Sequence, residues 1–436
     1  MRSIPFRIIV LFLILFWSVS GRSFGQSKAE YLTNDGTWCW FSDPRALVVG
    51  DNIITGWVKS DGTIEAVKLN TADGKVETSE LYFLLEADDH NNPAFTTTAS
   101  GKVMVMYTRH CRKDLFINHL RNINDDFNFS GAQMIHPFSD EELEKFPSAT
   151  MTYANPFRLK DENNRIYCFG RWTGYKPNMM WSDDEGKTWS KSKVFITNYP
   201  FDPDNRPYVK YFSDGKSKIH VVFTDGHPRD EPTNCVYYTY YEKGAFYKAG
   251  GEKICTMEEL PFEPKDASVV YASKPEQGRA WIADIGQDEH NNPVILYTRS
   301  PEEKNHEYWY ARYTKKGWKE YKICDSGKWF PQTPEGKREP EPHYFGGMSI
   351  HPGNADVVYL SRQINGVFEI ERWETKSSGE SWKTKTITEN SEYDNVRPYI
   401  PRGLSADAKE IVLWMVTQKY IHYTNFKTSI KYYIGG

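Results

Sequence analysis

The sequence predicts an all-β protein built as one seven-bladed β-propeller. Three observations carry that expectation. A unit of strand, polar turn and strand recurs seven times, two of these units end in related turn chemistry, and no polar linker divides the chain into halves.

In chain order the units pair residues 53–58 with 64–69, 103–108 with 115–120, and 165–171 with 178–182. The later ones pair 219–224 with 235–241, 294–298 with 308–313, 357–363 with 368–373, and 411–416 with 420–424. Each run is rich in β-branched and aromatic residues, which suit a pleated surface. Successive units begin roughly 50 to 75 residues apart, near or above the period of propeller blades. A blade needs two further strands, and the intervening segments have room for them. Only residues 141–145 and 257–260 read as short helical turns.

After the third unit, Ser182, Asp184, Gly186, Thr188 and Trp189 fit S-x-D-x-G-x-T-W, the Asp-box turn. There the Ser and Asp side chains bond nearby amides, Gly takes the left-handed conformation and Trp packs between blades. Residues 376–382, with Ser377, Gly379 and Trp382, are a worn copy after the sixth unit. Such a turn is structural and carries no chemistry. Closing the strands radially leaves few exposed edges, so the fold needs no helical cover. Two β-sandwiches would instead show a linker mid-chain.

The N-terminus speaks to compartment. Arg2 and Arg7 flank a short apolar run at residues 8–19, followed by the small residues Ser20 and Gly21. Residues 1–26 therefore read as a secretory signal peptide, and 27–436 as a single propeller domain of about 410 residues. No stretch is long and apolar enough for a comfortable membrane span, and no cysteine marks a lipidated cleavage point. The expectation is a secreted or periplasmic monomer. A net charge of -4 gives no polybasic signature, which argues against nucleic acid as partner. Aromatic content of 15%, with 14 Trp and 28 Tyr, suits both strands and the C–H faces of sugars. Six scattered cysteines without a CxxC pair predict at most one or two disulfides.

Propeller sites gather where strand ends and loops converge on one face. The densest polar cluster there is 86–93, which holds His90 and Asn92, followed by Arg109 and His110. Tyr153, Arg171, Arg206, Tyr208 and the segments 224–229 and 341–344 lie at comparable positions. Two internal echoes temper the reading. Residues 288–293 nearly repeat 88–93, yet His290 leads into a second-strand run and reads as a turn residue. Arg397-Pro398-Tyr399 repeats Arg206-Pro207-Tyr208, so substrate contact and blade packing both remain open for that pattern. His227 and Cys235 flank a turn within one blade, and a nearby Asp would complete a zinc site of N, S and O ligands. The plainer alternative is a buried thiol beside a hydrogen-bonded histidine.

Four segments carry a family resemblance: residues 38–45 (Trp38 to Arg45), 88–93 (Asp88 to Pro93), 206–211 (Arg206 to Tyr211) and 223–228 (Phe223 to Pro228). They resemble the BNR-4 branch of sialidase-repeat propellers, which includes ulvan lyases of polysaccharide lyase families 24 and 25. The same architecture hosts glycosidases that release rhamnose from glucuronate. The resemblance covers nearly the whole mature chain and implies a lyase acting on an acidic polysaccharide or oligosaccharide. Such an elimination needs a cation to neutralise the uronate carboxylate, a base at C5 and an acid at the leaving oxygen. In the resembled lyases two histidines, a tyrosine and an arginine fill these roles. Carried over, Arg171 neutralises the carboxylate, His90 and Tyr153 share base and acid work, and His110 orients substrate or backs up His90. Asn92, Arg109, Arg206 and Tyr208 become substrate contacts. The chemistry requires no cofactor, although the resemblance also implies a structural zinc.

Two other readings stand beside the lyase. A glycoside hydrolase would ordinarily show two carboxylates flanking a pocket. Glu86, Asp88, Asp89 and Asp225 are available without forming an evident pair, and a rhamnose–glucuronate hydrolase using histidine would escape that criterion. A propeller that binds acidic glycan without turnover is the third. A sialidase is disfavoured, because its arginine triad, tyrosine nucleophile and acid do not assemble.

Overall fold

Strand after strand alternates polar and apolar or is buried throughout, and the computed structural model folds these runs into seven antiparallel sheets. It describes residues 29–435 apart from 124, 125 and 130, so the signal peptide expected at 1–26 lies outside the described residues. Blade 1 comprises Ala46–Val49, Asn52–Val58, Ile64–Asn70 and Val76–Tyr82. Blade 2 comprises Ala94–Thr97, Val103–Thr108, Leu115–His119 and Gln133–Ile135. Blade 3 runs through Ala149–Leu159, Arg165–Thr173, Pro177–Ser182 and Lys193–Val194. Blade 4 begins with Val209–Ser213, Lys218–Thr224, Val236–Glu242 and Ala245–Tyr247. Blade 5 holds Arg279–Gln287, Pro293–Glu302, Asn305–Thr314 and Gly317–Gly327. Blade 6 holds Met348–His351, Asn354–Ile364, Val367–Glu374 and Lys383–Thr386. Blade 7 takes Asp394–Tyr399, Ile411–His422 and Asn425–Ile434, and its fourth strand is Glu30–Thr33 from the opposite end of the chain.

The seven-bladed expectation is met, with three local differences. Blade 4 has six strands, because Lys253–Thr256 and Ser268–Tyr271 extend it. The second strand of the last pair is Asn425–Ile434, not 420–424. The apolar pattern of Ile411–His422 runs past Tyr420, and the hairpin turns only at Tyr423 and Thr424. Residues 141–145 do lie in a short helix, Asp140–Lys145, whereas 257–260 form turns only. All six cysteines are free thiols.

The Asp box behaves as its chemistry demands. Ser182 Oγ accepts from the Gly186 amide at 2.8 Å, and Asp184 accepts from the Thr188 amide at 2.8 Å. Gly186 has φ +82°, and a Cβ there would strike Met104 of blade 2. In the worn copy the box starts one residue earlier than its sequence suggests. Thr375 Oγ1 takes the serine role toward the Gly379 amide at 2.9 Å, and Trp382 packs edge-on to Tyr310 of blade 5.

Two layers fill the axis. Nearer the cleft, Trp40, Phe41, Trp281 and Phe345 pack ring to ring. Below them lies a buried ionic layer drawn from four blades or their leading segments. Asp43 pairs with Arg45 at 3.0 Å and with Lys210, and Arg402 pairs with Asp284 at 2.6 Å. Burial alone would neutralise Asp43, but the charges of Lys210 and Arg45 outweigh it and hold its carboxyl below the usual range. The axis is therefore plugged.

Candidate active site

One end of the ring collects the segments before first strands and after second strands. Asp88 caps a single turn at Asp89–Asn91, accepting the His90 amide at 3.0 Å, just before the first strand of blade 2. That turn drives His90 towards the axis. His110 follows the second strand of the same blade, and the two imidazoles stack with centroids 3.9 Å apart and planes at 11°. One carboxylate serves both: Asp88 lies 2.7 Å from His90 Nδ1 and 2.8 Å from His110 Nδ1. A carboxylate acceptor fixes the proton on each Nδ1, which leaves each Nε2 for other chemistry.

Charge follows from this geometry. Burial would strip the proton from His90, but Asp88 first, with Asp89 contributing a hydrogen bond, raises its pKa well above the usual imidazole value. Asp88 is held correspondingly low: burial opposes this, and the two histidines overcome it. Asp89 is engaged below by Arg397 at 2.7 Å and Tyr420 at 2.5 Å. The shift favours the protonated form of His90.

Arg171 ends the second strand of blade 3. Its guanidinium lies 5.2 Å from the ring centre of Tyr153 and 5.1 Å from that of Tyr208. Its Nε and Nη1 are buried without a hydrogen-bond partner, and no carboxylate pairs with it among the described residues. Tyr153 sits in a bulge of the neighbouring strand with φ +70°, a conformation that bulky residues rarely adopt. Its hydroxyl is buried and unpartnered, and burial followed by the nearby Tyr208 raises its pKa well above the usual phenol value. Gly170 is required between them, since a Cβ would meet the Tyr153 carbonyl and the Trp172 ring.

His90, His110, Arg171, Arg206 and Tyr208 line one small cleft of about 100 Å³. Tyr153 stands just behind it, against Arg171 and Tyr208. Arg206 is presented by a loop that Lys176 ties down through the Asp202 carbonyl at 2.6 Å, and it lies over the Tyr175 ring at 4.3 Å. His227 also faces the cleft. Its Nδ1 accepts the Arg229 amide at 3.0 Å, and burial, with Arg229 adding to it, drives its pKa well below the usual value.

Other expected contacts are placed elsewhere. Asn92 is buried and does not reach the cleft: its Oδ1 accepts the Cys39 amide at 3.0 Å, and its amide donates to main-chain carbonyls. Arg109 is held by Asp114 across the adjoining hairpin. Cys235 and His227 do not form a three-donor cluster with any Asp, because Cys235 accepts the Ser273 amide at 3.3 Å while His227 turns to Arg229 and Glu341. That pair does not fit a structural zinc. Two other trios of donors lie close together, Cys39–Asp89–His90 and Asp88–His90–His110. Both are already engaged by the hydrogen bonds and ion pairs above.

The cleft also contains one residue that strand-end reasoning passes over, Tyr423, and one from the segment 341–344, Glu341. Tyr423, at the last hairpin, stands edge-on to His90 at 4.7 Å. Glu341 accepts from Arg229 at 3.2 Å and keeps a raised pKa, burial outweighing that arginine. Half-buried Cys111 follows His110 and has its pKa lowered to about 6. Burial opposes the shift, and the His110 hydrogen bond and Arg171 charge prevail.

Comparison with known proteins bears on this arrangement. The family described as BNR repeat-containing family member matches residues 53–326. No curated protein matches the chain by sequence. Among solved structures, the PL25 ulvan lyase bound to -[GlcA(1-4)Rha3S]- superposes with a TM-score of 0.68 at 12% identity, over 94% of this chain and 96% of that one. The polysaccharide lyase Uly1 gives 0.57 at 12% identity, over 94% of this chain and 99% of its own. At such identities the likeness establishes the propeller fold.

Proposed function

This chain belongs to the BNR repeat-containing family, and from that premise we propose that it is a secreted polysaccharide lyase cleaving uronate-containing, ulvan-like glycans by β-elimination. The observation that carries the reading is Arg171, a buried guanidinium with unpartnered donors and no carboxylate of its own, beside the paired imidazoles. A uronate carboxylate is the ligand group that such a cation suits, because bidentate pairing would satisfy its free N–H donors. The expected partner is an acidic polysaccharide, in line with the oligosaccharide held by the PL25 neighbour.

The roles follow from protonation. Arg171 neutralises the carboxylate, so that negative charge can spread onto it as the C5 proton leaves. His110, with its Nδ1 proton on Asp88, offers Nε2 as the base. His90, already cationic, donates a proton to the departing glycosidic oxygen, and the Tyr153 phenol is a second donor to the substrate. Tyr208 and Arg206 form the cleft wall along which the neighbouring sugar lies. One feature favours a second reading, hydrolysis: Glu341, whose raised pKa is the state of a general acid. No facing carboxylate completes the usual pair among the residues lining the cleft, since Asp88 and Asp89 lie beneath the imidazoles.

Incubation with a panel of uronate polysaccharides, followed by ultraviolet absorbance, tests the proposal. Elimination creates a conjugated C4–C5 double bond. New reducing ends without that absorbance would transfer the activity to hydrolysis, and neither signal across the panel would leave a binding protein.

A further inference from the structure

The ring has a second mouth, at the end where first strands turn into second strands. A cavity of about 930 Å³ opens there, lined by blades 1 to 4 and by Arg402. The ionic layer of Asp43, Lys210, Asp284 and Arg402 separates it from the cleft. Its size falls within the range of small-molecule sites. Its floor is apolar, formed by Leu47, Phe95, Phe157 and Phe212.

The charge around it is one-sided. Arg158, Lys160 and Lys216 all line the cavity, and none makes an ion pair among the described residues. Arg158 is bound only by neutral groups, Asn164 Oδ1 at 2.7 Å and Thr97 Oγ1 at 3.3 Å, and its Nε is buried without a partner. Arg402 adds a fourth cation whose Nη1 is likewise unpartnered, although its Nη2 serves Asp284. The one acid on the wall, Asp214, is occupied by its own turn, accepting the amides of Lys216 at 2.7 Å, Ser217 at 3.0 Å and Lys218 at 3.1 Å. In a chain of net charge -4, three cations free of ion pairs face a single carboxylate around one cavity, and the excess of positive charge forms a local anion site.

We propose that this far mouth is a second ligand site, which binds a saccharide unit bearing a sulfate or carboxylate group. The apolar floor receives a C–H face of the ring, and Arg158, Lys160 and Lys216 receive the anionic substituent from one side. Arg158 supplies the planar donor fork and the lysines supply mobile charge. The site does not depend on the chemistry of the cleft, since the axis between the two is filled.

Hydrogen exchange of the full chain tests this, read at the turn 213–218. The probes are a glucuronate-containing disaccharide, its singly sulfated form, and sodium sulfate alone. Protection of the turn by at least one disaccharide is expected, and the sulfated and unsulfated arms tell which anion is preferred. The double variant Arg158→Gln/Lys216→Gln should weaken that protection about tenfold or more and leave cleft binding unchanged. Arg171→Ala should leave it intact, so this site stands or falls separately from the lyase reading. Equal protection by sodium sulfate would reduce the site to an ion site and overturn the saccharide. No protection by any probe, or protection that persists in both the double variant and Lys160→Gln/Lys216→Gln, would overturn the site itself.

Discussion

Two turns of this molecule are nearly identical in sequence and opposite in circumstance. Asp88 accepts the His90 amide at 3.0 Å, and Asp288 accepts the His290 amide at 2.9 Å. Both are followed by Asn, Asn and Pro, and the aspartate caps both turns, although residues 89–91 form a 3-10 turn while Asn291 takes a left-handed conformation at φ +62°. The first precedes an innermost strand, and its histidine is driven into the cleft at 6% exposure. The second joins the first and second strands of blade 5, at the far end of the ring, and the His290 side chain is 76% exposed. Aspartate makes the turn in both, and topology decides whether the histidine meets anything. A short motif is thus evidence for a backbone shape and acquires chemistry only through its neighbours.

That contrast can be broken most sharply by activity. On a uronate polymer that the protein cleaves, His90→Ala should lower turnover by about two to four orders of magnitude. His290→Ala should match the parent, and equal rates in the two variants would strip His90 of its role. Stability gives the next largest effect. Asp89→Ala leaves Arg397 buried without its partner and should cost about 3–5 kcal/mol in denaturant unfolding. Glu289→Ala, on the exposed copy, should stay within about 0.5 kcal/mol.

A pH series sharpens the same pair. The folded pKa of His90 is raised, so its stabilisation is complete below the unfolded value of 6.5 and lost as pH rises through the folded value. Asp88 is depressed, so its contribution is complete above 3.8 and lost as pH falls through its folded value. The stability gap between the parent and His90→Gln should therefore be widest between those limits and shrink in alkali. A flat profile for the His90 gap would refute the charged pair. Smallest of all, Asn92→Ala should cost about 1–3 kcal/mol by orphaning the Cys39 amide, and Asn292→Ala less.

What could be read from the sequence follows from range. Blades are local objects: a strand, a turn and a strand write their own pattern, and four of the seven pairs are legible within a residue or two, with those of blades 5 and 6 within four. The seventh was misplaced because Tyr420 prolongs the apolar run before the hairpin. His90, His110 and Arg171 were legible because each sits at the end of such a run. Asn92 stands outside the cleft lining because its side chain serves the Cys39 amide, and Arg109 because it is drawn to Asp114. Glu341 falls in the polar segment 341–344 that the sequence singles out, whereas Tyr423 reaches His90 only through closure of the ring, from more than three hundred residues away, and no local pattern announces it.

The ionic layer on the axis bears on how the ring comes together. Lys210 and Asp43 are 167 residues apart, Arg402 and Asp284 are 118 apart, and Arg397 and Asp89 are 308 apart. No blade contains both members of any of these pairs, so an arc that lacks blade 7 leaves Asp89 without Arg397 and Asp284 without Arg402. Each unanswered ion costs several kcal/mol. The Lys210–Asp43 pair closes once blades 1 and 4 are together, whereas the penalties on Asp89 and Asp284 lift only when blade 7 arrives. A repeat protein could otherwise fold and fray one unit at a time. Here assembly is made all-or-none, and a chain that loses its final blade should lose the others with it.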